Sequence, residues 1–177
     1  MTKTEALSQH SRYIENALRH VFLAQLFKAV WKHDFKGKLH IYNNEVDDSG
    51  FDLVARSGDV TRHIQLKATH TDGKAKRISA HADLASAQGG CIVWMSYDAE
   101  TLDIRDYRFF GQAAGQTIAD ISLLPATRTT RRDIHGKRKA RLKHHDIGLS
   151  QFSASLKIEG LRAVLFDADT GDKESGA

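Results

Sequence analysis

The sequence predicts an α/β fold, with a central mixed β-sheet flanked by helices and a long N-terminal helix. Residues 4–31 contain no Pro or Gly. Their apolar side chains recur at helical spacing, at Ile14, Leu18, Phe22, Leu26 and Ala29. The segments that follow alternate between apolar and polar residues, which is typical of half-buried strands. We therefore expect an amphipathic helix over residues 4–31 that packs against a sheet.

The remaining elements are predicted from their periodicity and their turn residues. Strands are predicted at 38–42, 51–55, 63–68, 91–97 and 103–110, and helices at 77–87 and 158–166. The first three strands form a meander, and the continuous apolar run at 91–97 predicts a strand covered on both faces. The helix predicted between the third strand and this buried strand indicates a crossover connection.

Length and composition favour one cytoplasmic domain. With 177 residues, 41% of them hydrophobic, the chain is large enough to bury a core. We assign the domain to residues 1–166 and expect the polar tail, 167–177, to be disordered. There is neither an apolar run of about 18 residues nor a signal-peptide pattern, so no membrane partner is expected. The single cysteine, Cys91, lies in an apolar run, which indicates a buried side chain and not a nucleophile.

The hairpin formed by the second and third strands carries the most informative side chains. Asp52 lies among apolar neighbours, where a charge is costly unless something pairs with it. Period-two alternation places Gln65 and Lys67 on one face of the third strand. The opposite face of that strand carries Ile64, Leu66 and Ala68. A Mg²⁺ ion and a lysine ammonium would both supply the pairing that Asp52 needs.

This hairpin resembles the core motif of the PD-(D/E)xK nuclease superfamily, in particular the Mrr-type restriction enzymes, which also tend to carry Gln in place of Glu. Asp52 matches the acidic position, Gln65 the Glu/Gln position and Lys67 the lysine. The motif covers about residues 45–69. The resemblance implies a restriction-endonuclease-like core and a site that binds Mg²⁺, for which Mn²⁺ can substitute.

The resemblance also implies roles for individual residues. Metal ligands would be Asp52, the side-chain carbonyl of Gln65, the backbone carbonyl of Leu66, and Glu15 from the first helix. Lys67 would orient the attacking water or stabilise charge on the phosphate. Gln in place of Glu removes one negative charge and should weaken the metal site. The alternative for Glu15 is an ion pair with Arg12 or Arg19 on the helix surface.

Other polar residues near the hairpin are weaker candidates. Glu45 and Asp48 precede Asp52 and would supply an additional metal ligand, although such acidic runs are more often solvated turns. His63 shares a strand face with Gln65 and Lys67 and is a candidate neighbour of the site.

Positive charge is concentrated in residues 128–145, where it suits phosphate neutralisation. The predicted nucleic-acid contacts are Arg128, Arg131, Arg132, Lys137, Arg138, Lys139, Arg141 and Lys143. The alternative is a solvated loop or mobile basic segment that only maintains solubility.

Together these features predict a Mg²⁺-dependent endodeoxyribonuclease in restriction, repair or mobile-element defence, with RNA not excluded as substrate. Double-strand cleavage by so small a chain predicts a homodimer. The first alternative is a non-catalytic nucleic-acid-binding module with a degenerate nuclease fold, which Gln65 favours. The second is a structural or assembly subunit in which the hairpin is ordinary and the charges are surface charges.

Overall fold

The computed structural model describes residues 3–43, 50–132 and 138–167, and within these ranges it has three α-helices and two β-sheets. The larger sheet is mixed and has five strands, which confirms the α/β class. Residues 168–177, most of the predicted tail, lie outside the described residues. None of the described helices combines the length and the apolar composition needed to cross a membrane.

The N-terminal region forms two helices where the sequence predicted one. Helix α1 covers Lys3–Gln9 and helix α2 covers Ser11–His33. Between them His10 has φ −102° and ψ 18°, outside the helical region. The break falls in a run of Ser and His, which are weak helix formers. The predicted apolar stripe is confirmed, because Ile14, Leu18, Phe22, Leu26 and Ala29 are all buried.

Eight strands follow these helices. They are β1 (Leu39–Asn43), β2 (Leu53–Ser57), β3 (Val60–His70), β4 (Arg77–His81), β5 (Gly90–Tyr97), β6 (Ile104–Gly111), β7 (Ala126–Arg132) and β8 (Arg138–Gly148). The five-stranded sheet has the order β1-β2-β3-β5-β6, with β3 and β5 parallel and the other pairs antiparallel. The predicted meander, the buried strand and the edge strand are therefore confirmed.

The predicted crossover helix at 77–87 is wrong. Its first half is strand β4, which pairs antiparallel with β8, and its second half is a short 3₁₀ helix, Ala82–Ser86. Ile78 and Ala80 are buried with period two along β4, because this strand belongs to a three-stranded sheet of order β4-β8-β7. Pairing with a strand some 65 residues further along the chain thus outweighed the local helix propensity of the alanines.

Two apolar cores enclose the five-stranded sheet. One lies between the sheet and helices α2 and α3, the latter being Ile158–Phe166 as predicted. The other lies between the sheet and the smaller sheet, where Ile92 and Trp94 pack with Ile78, Ile147 and Phe152. Cys91 is fully buried in β5, and burial raises the pKa of its thiol to about 12, so it is a protonated core residue.

A buried arginine joins β3 to the last helix. Arg62 is 1% exposed and lies in phase with the apolar residues of β3. Its Nε donates to the carbonyl oxygen of Leu165 at 2.7 Å and its Nη2 to that of Val164 at 3.1 Å. Its Nη1 donates to Gln112 O at 2.9 Å. The carbonyl groups that α3 leaves unpaired at its end are therefore satisfied by the central strand.

The turn before β5 generates the first prediction. Gly89 has φ +70°, and a β-carbon there would lie 2.5 Å from the carbonyl oxygen of Thr61. Gly58 has φ +57° with open space around it. We expect Gly58→Ala to cost about 1–2 kcal/mol of unfolding free energy for the left-handed backbone. Gly89→Ala should cost about 1–3 kcal/mol more, because the backbone must also move. Urea unfolding followed by circular dichroism measures both, and equal losses would contradict the steric argument.

Candidate active site

The site begins where β3 extends beyond β2. The β2–β3 pairing runs from Ser57 opposite Val60 to Leu53 opposite Ile64, whereas β3 continues to His70 against β5. Alternate residues of a strand direct their N–H and C=O groups to the same side. Ile64 accepts a hydrogen bond from the β2 side, so Leu66 directs both of its backbone groups to that side as well. The second half of β3 therefore presents a backbone edge that β2 does not cover.

Asp52 covers the first part of this edge. Its Oδ2 accepts a hydrogen bond from the backbone N–H of Leu66 at 2.5 Å, and its own N–H donates to Ile64 O at 2.9 Å. A carboxylate thus takes the place that the next β2 carbonyl would have occupied. Because this hydrogen bond is charge-assisted, it fixes the orientation of the carboxylate.

A cleft of about 430 Å³ opens beside this edge. It is lined by Glu15, Asn16, Arg19, Asp52, Leu66, Lys67, Ala68 and Met95. Four of the five predicted site residues are therefore brought together, namely Glu15, Asp52, Leu66 and Lys67. The lining residues include two acids, one lysine and one arginine, which is a dense charge arrangement for so small a volume.

Helix α2 supplies Glu15 and Arg19 from successive turns. Glu15 is exposed at the mouth of the cleft, and its charge contributes, after burial, to raising the pKa of the nearby Tyr97 hydroxyl. Arg19 donates from Nη2 to Asn43 Oδ1 at 2.5 Å and reaches the backbone oxygen of Asp52 at 3.4 Å. Within the described residues, the ion pairs do not include one between Glu15 and Arg12 or Arg19. The surface-pair alternative for Glu15 is therefore wrong in this structure.

Sequence reasoning missed Arg19, which lines the cleft, and Tyr97, a neighbour of Glu15 that does not line the cleft. Arg19 follows Glu15 by one helical turn, so the spacing alone placed both on one side of α2. Tyr97 lies in the apolar run of β5, and from that position the sequence predicts only that it is buried.

Gln65 differs from the other predicted residues. It is 7% exposed, does not line the cleft, and its Oε1 finds no hydrogen-bond partner among the described residues. An unsatisfied buried amide oxygen costs about 1–3 kcal/mol. Gln65 is adjacent in sequence to Leu66, which lines the cleft, but its own side chain is buried outside the cleft. Local packing does not explain why its Oε1 has no donor.

The weaker candidates do not join the cleft. The ring of His63 lies 4.8 Å from that of Phe51, and its Nδ1 is 2.8 Å from the carbonyl oxygen of Gln88. His63 therefore does not line the cleft. Glu45 and Asp48 lie outside the described residues.

The donors in the cleft fit a hard cation. Asp52 and Glu15 supply carboxylate oxygens and Leu66 directs its carbonyl to the same edge, and oxygen donors of this kind are what Mg²⁺ prefers. The buried Oε1 of Gln65 is a further acceptor without a donor. Within residues 3–43, 50–132 and 138–167, no three His, Cys, Asp or Glu side chains group closely enough to hold a metal by themselves. A cation here would thus depend on carbonyl oxygens as well as on the two acids.

Strands β7 and β8 of the basic segment pair antiparallel, so the described part of the segment is not a loop. Residues 138–143 of β8 are exposed on both faces, so this end of the hairpin projects from the body of the protein. The predicted contacts with described, exposed side chains are Arg128, Arg138, Lys139, Arg141 and Lys143. Arg131 and Arg132 belong to β7, and Lys137 lies outside the described residues. We call residues 128–132 and 138–143 the basic arm.

His81 lies between the residue that follows the basic arm and the residues that precede Asp52. The His144 ring of β8 lies 5.0 Å from that of His81 in β4. His81 in turn faces Gly50, where a β-carbon would come within 3.0 Å of the His81 β-carbon. Gly50 has φ +75° and is only two residues before Asp52. A larger residue at position 50 would therefore press on His81 and on the backbone of Leu84.

The structural role of Asp52 is testable apart from any activity. Asp52→Ala leaves the Leu66 N–H without its acceptor and should lower the unfolding free energy by about 1–3 kcal/mol. Asp52→Asn keeps an oxygen in the same place and should retain most of that stability. Urea titration of the two variants and the parent at pH 7 gives the comparison. Equal losses in both variants would mean that the charge, and not the acceptor, holds the edge.

Comparison with known proteins leaves the family open. No protein-family model matches the chain, and no curated protein matches it.

Proposed function

We propose that this protein is a metal-dependent nuclease of the PD-(D/E)xK type that hydrolyses phosphodiester bonds in DNA. The observation that carries the proposal is the meeting of Glu15, Asp52 and Lys67 in one cleft at the uncovered edge of β3. Two acids that hold a cation and a lysine that contacts the phosphate are the minimum set for this chemistry.

The topology supports a restriction-endonuclease-like core. The meander β1-β2-β3, the parallel strand β5 beside β3, and the packing of α2 on this sheet agree with the architecture that the resemblance implies. The departure is the crossover, which is made by β4 and a 3₁₀ helix in place of an α-helix.

Hydrolysis requires an activated water, stabilisation of charge on the phosphate, and neutralisation of the leaving oxygen. A bound Mg²⁺ or Mn²⁺ would lower the pKa of a water and offset the developing negative charge. Asp52, Glu15 and the Leu66 carbonyl would hold it. Lys67 donates to a non-bridging phosphate oxygen, and Arg19 keeps Asp52 in place through its backbone.

The basic arm is the proposed grip on DNA. A two-stranded β-ribbon fits the major groove, and six exposed residues span about 20 Å, enough to follow several phosphates. One cleft per chain acts on one strand, so cleavage of both strands would use a homodimer.

The second candidate is a nucleic-acid-binding module without catalysis. The observation that favours it is Gln65, which contributes no charge and lies behind the wall of the cleft. Without a third acid at position 65, the cleft has only Glu15 and Asp52 as carboxylate ligands. If these two do not bind a metal, the protein would act through DNA binding by the basic arm alone.

Activity is tested on supercoiled plasmid with Mg²⁺ or Mn²⁺. The parent protein should nick or linearise it, and Asp52→Asn and Lys67→Ala should each lower the rate by at least about 100-fold, because each removes a charge that the transition state needs. Lys74→Ala, which removes an exposed lysine away from the cleft, is the matched control. EDTA should abolish cleavage.

The outcomes separate the two candidates. An intact plasmid that is nevertheless retarded in a gel supports the binding module. Cleavage that survives both Asp52→Asn and Lys67→Ala would place the chemistry elsewhere and refute the proposed site.

The arm is tested by the salt dependence of DNA binding in EDTA. Arg138→Ala with Lys139→Ala should reduce the slope of log affinity against log salt by about 1.8, because two phosphate contacts are lost. Arg105→Ala with Lys157→Ala removes the same charges from exposed positions in β6 and just before α3, outside the basic arm, and should leave the slope unchanged. A change of equal size in both double variants would show that only net charge matters.

A further inference from the structure

A row of exposed aromatic rings follows the C-terminal half of α2. Phe27 is 45% exposed, Trp31 58% and Phe35, just beyond the helix, 70%. The centroids of the Trp31 and Phe35 rings lie 5.5 Å apart at an interplanar angle of 68°. Single exposed apolar side chains are common on protein surfaces. Three large ones at four-residue spacing form a contiguous apolar patch, and exposing such a patch to water is unfavourable. We call these three residues the aromatic platform.

A cationic pocket of about 570 Å³ adjoins this platform. Its basic lining residues are His33, Lys36, Lys38, His40, Arg56 and Arg162. It shares Val30, Gly37, Lys38 and His40 with the groove that Phe27 and Trp31 line. The rings and the cations thus form one continuous surface.

The acidic residues around this surface are mostly engaged. Asp167 accepts two hydrogen bonds from Arg162, at 2.5 and 2.9 Å, and Glu159 pairs with Lys32 at 3.6 Å. Asp34, the remaining carboxylate of the pocket, accepts from the backbone N–H of Lys36 at 2.9 Å. Lys and Arg outnumber Asp four to two among the lining residues, and one Arg–Asp pair offsets itself, so the pocket carries a net positive charge.

Countering the helix dipole does not account for these cations. Positive residues within the last turn of α2 stabilise its C-terminus, which explains His33. Lys38 directly precedes β1, His40 lies in β1 and Arg56 lies in β2. These residues therefore reach the pocket from elements other than α2.

We propose that this surface binds single-stranded nucleic acid, with a phosphate in the cationic pocket and bases stacked on Trp31 and Phe35. Aromatic rings beside a positive groove are the general means of holding single strands without sequence preference. Trp31 lies about 24 Å along α2 from Glu15, at 1.5 Å per residue, so this site is separate from the cleft. A second copy of the chain is a poor occupant, because it would bring the same positive field against this one.

Tryptophan fluorescence of the full chain, titrated with a 20-nucleotide oligothymidylate in EDTA, tests the proposal without reference to cleavage. The chain has two tryptophans, and Trp94 is only 5% exposed, so a change in emission reports on Trp31. We expect quenching that saturates. By anisotropy of a labelled oligonucleotide, Trp31→Ala should weaken binding about 5- to 100-fold. Lys36→Ala with Lys38→Ala should lower the salt slope by about 1.4.

Matched controls decide the interpretation. Leu123→Ala, at a leucine that is 84% exposed, and Lys74→Ala with Lys76→Ala should leave binding unchanged. The arm variant Arg138→Ala with Lys139→Ala should retain the quenching. Absence of quenching, an equal effect of Trp31→Ala and Leu123→Ala, or quenching by phosphatidylserine vesicles but not by the oligonucleotide would overturn the proposal.

Discussion

The candidate site depends on one constraint of the sheet, namely that β3 is longer than the strand that covers it. Beyond Ile64, backbone groups face a side that β2 has left, and each of them needs a partner. Asp52 meets that need with a side chain, which brings a carboxylate to the sheet edge and holds it there. Helix α2 then adds Glu15 across the same opening, so the cleft is a consequence of unequal strand lengths.

The position of the charges follows from this geometry. Glu15 and Asp52 line the same cleft and would repel one another without a cation, whereas Lys67 and Arg19 line the same small volume and offset part of that repulsion. Gln65, by contrast, lies on the strand face that turns away, toward the second core. Alternation along β3 puts Gln65 and Lys67 on one face, yet Lys67 lines the cleft and Gln65 does not.

The sequence predicted secondary structure correctly where the local periodicity of apolar residues determines which element forms. The boundaries of β5 and α3 and the stripe from Ile14 to Ala29 were predicted almost to the residue, because burial and periodicity agree there. The prediction of a helix at 77–87 was wrong because the period-two pattern of Ile78 and Ala80 covers only two apolar positions. So short a pattern does not reveal pairing with the distant β8. The meeting of Glu15 with Asp52 was expected only from resemblance, since helix phase fixes a facing direction and not a distance. The burial of Arg62 could have been predicted, because its position in the strand alternation places it on the same face as Ile64 and Leu66.

Arg62 also bears on how the chain reaches its folded state on the ribosome. Its partners at Val164 and Leu165 are made about a hundred residues after it. Until that segment emerges, the central strand can be packed only around a guanidinium that lacks two of its four carbonyl acceptors, and a charge without its partners is costly to bury. Full pairing of the buried guanidinium, and with it the final packing of this sheet, therefore requires the segment that forms helix α3.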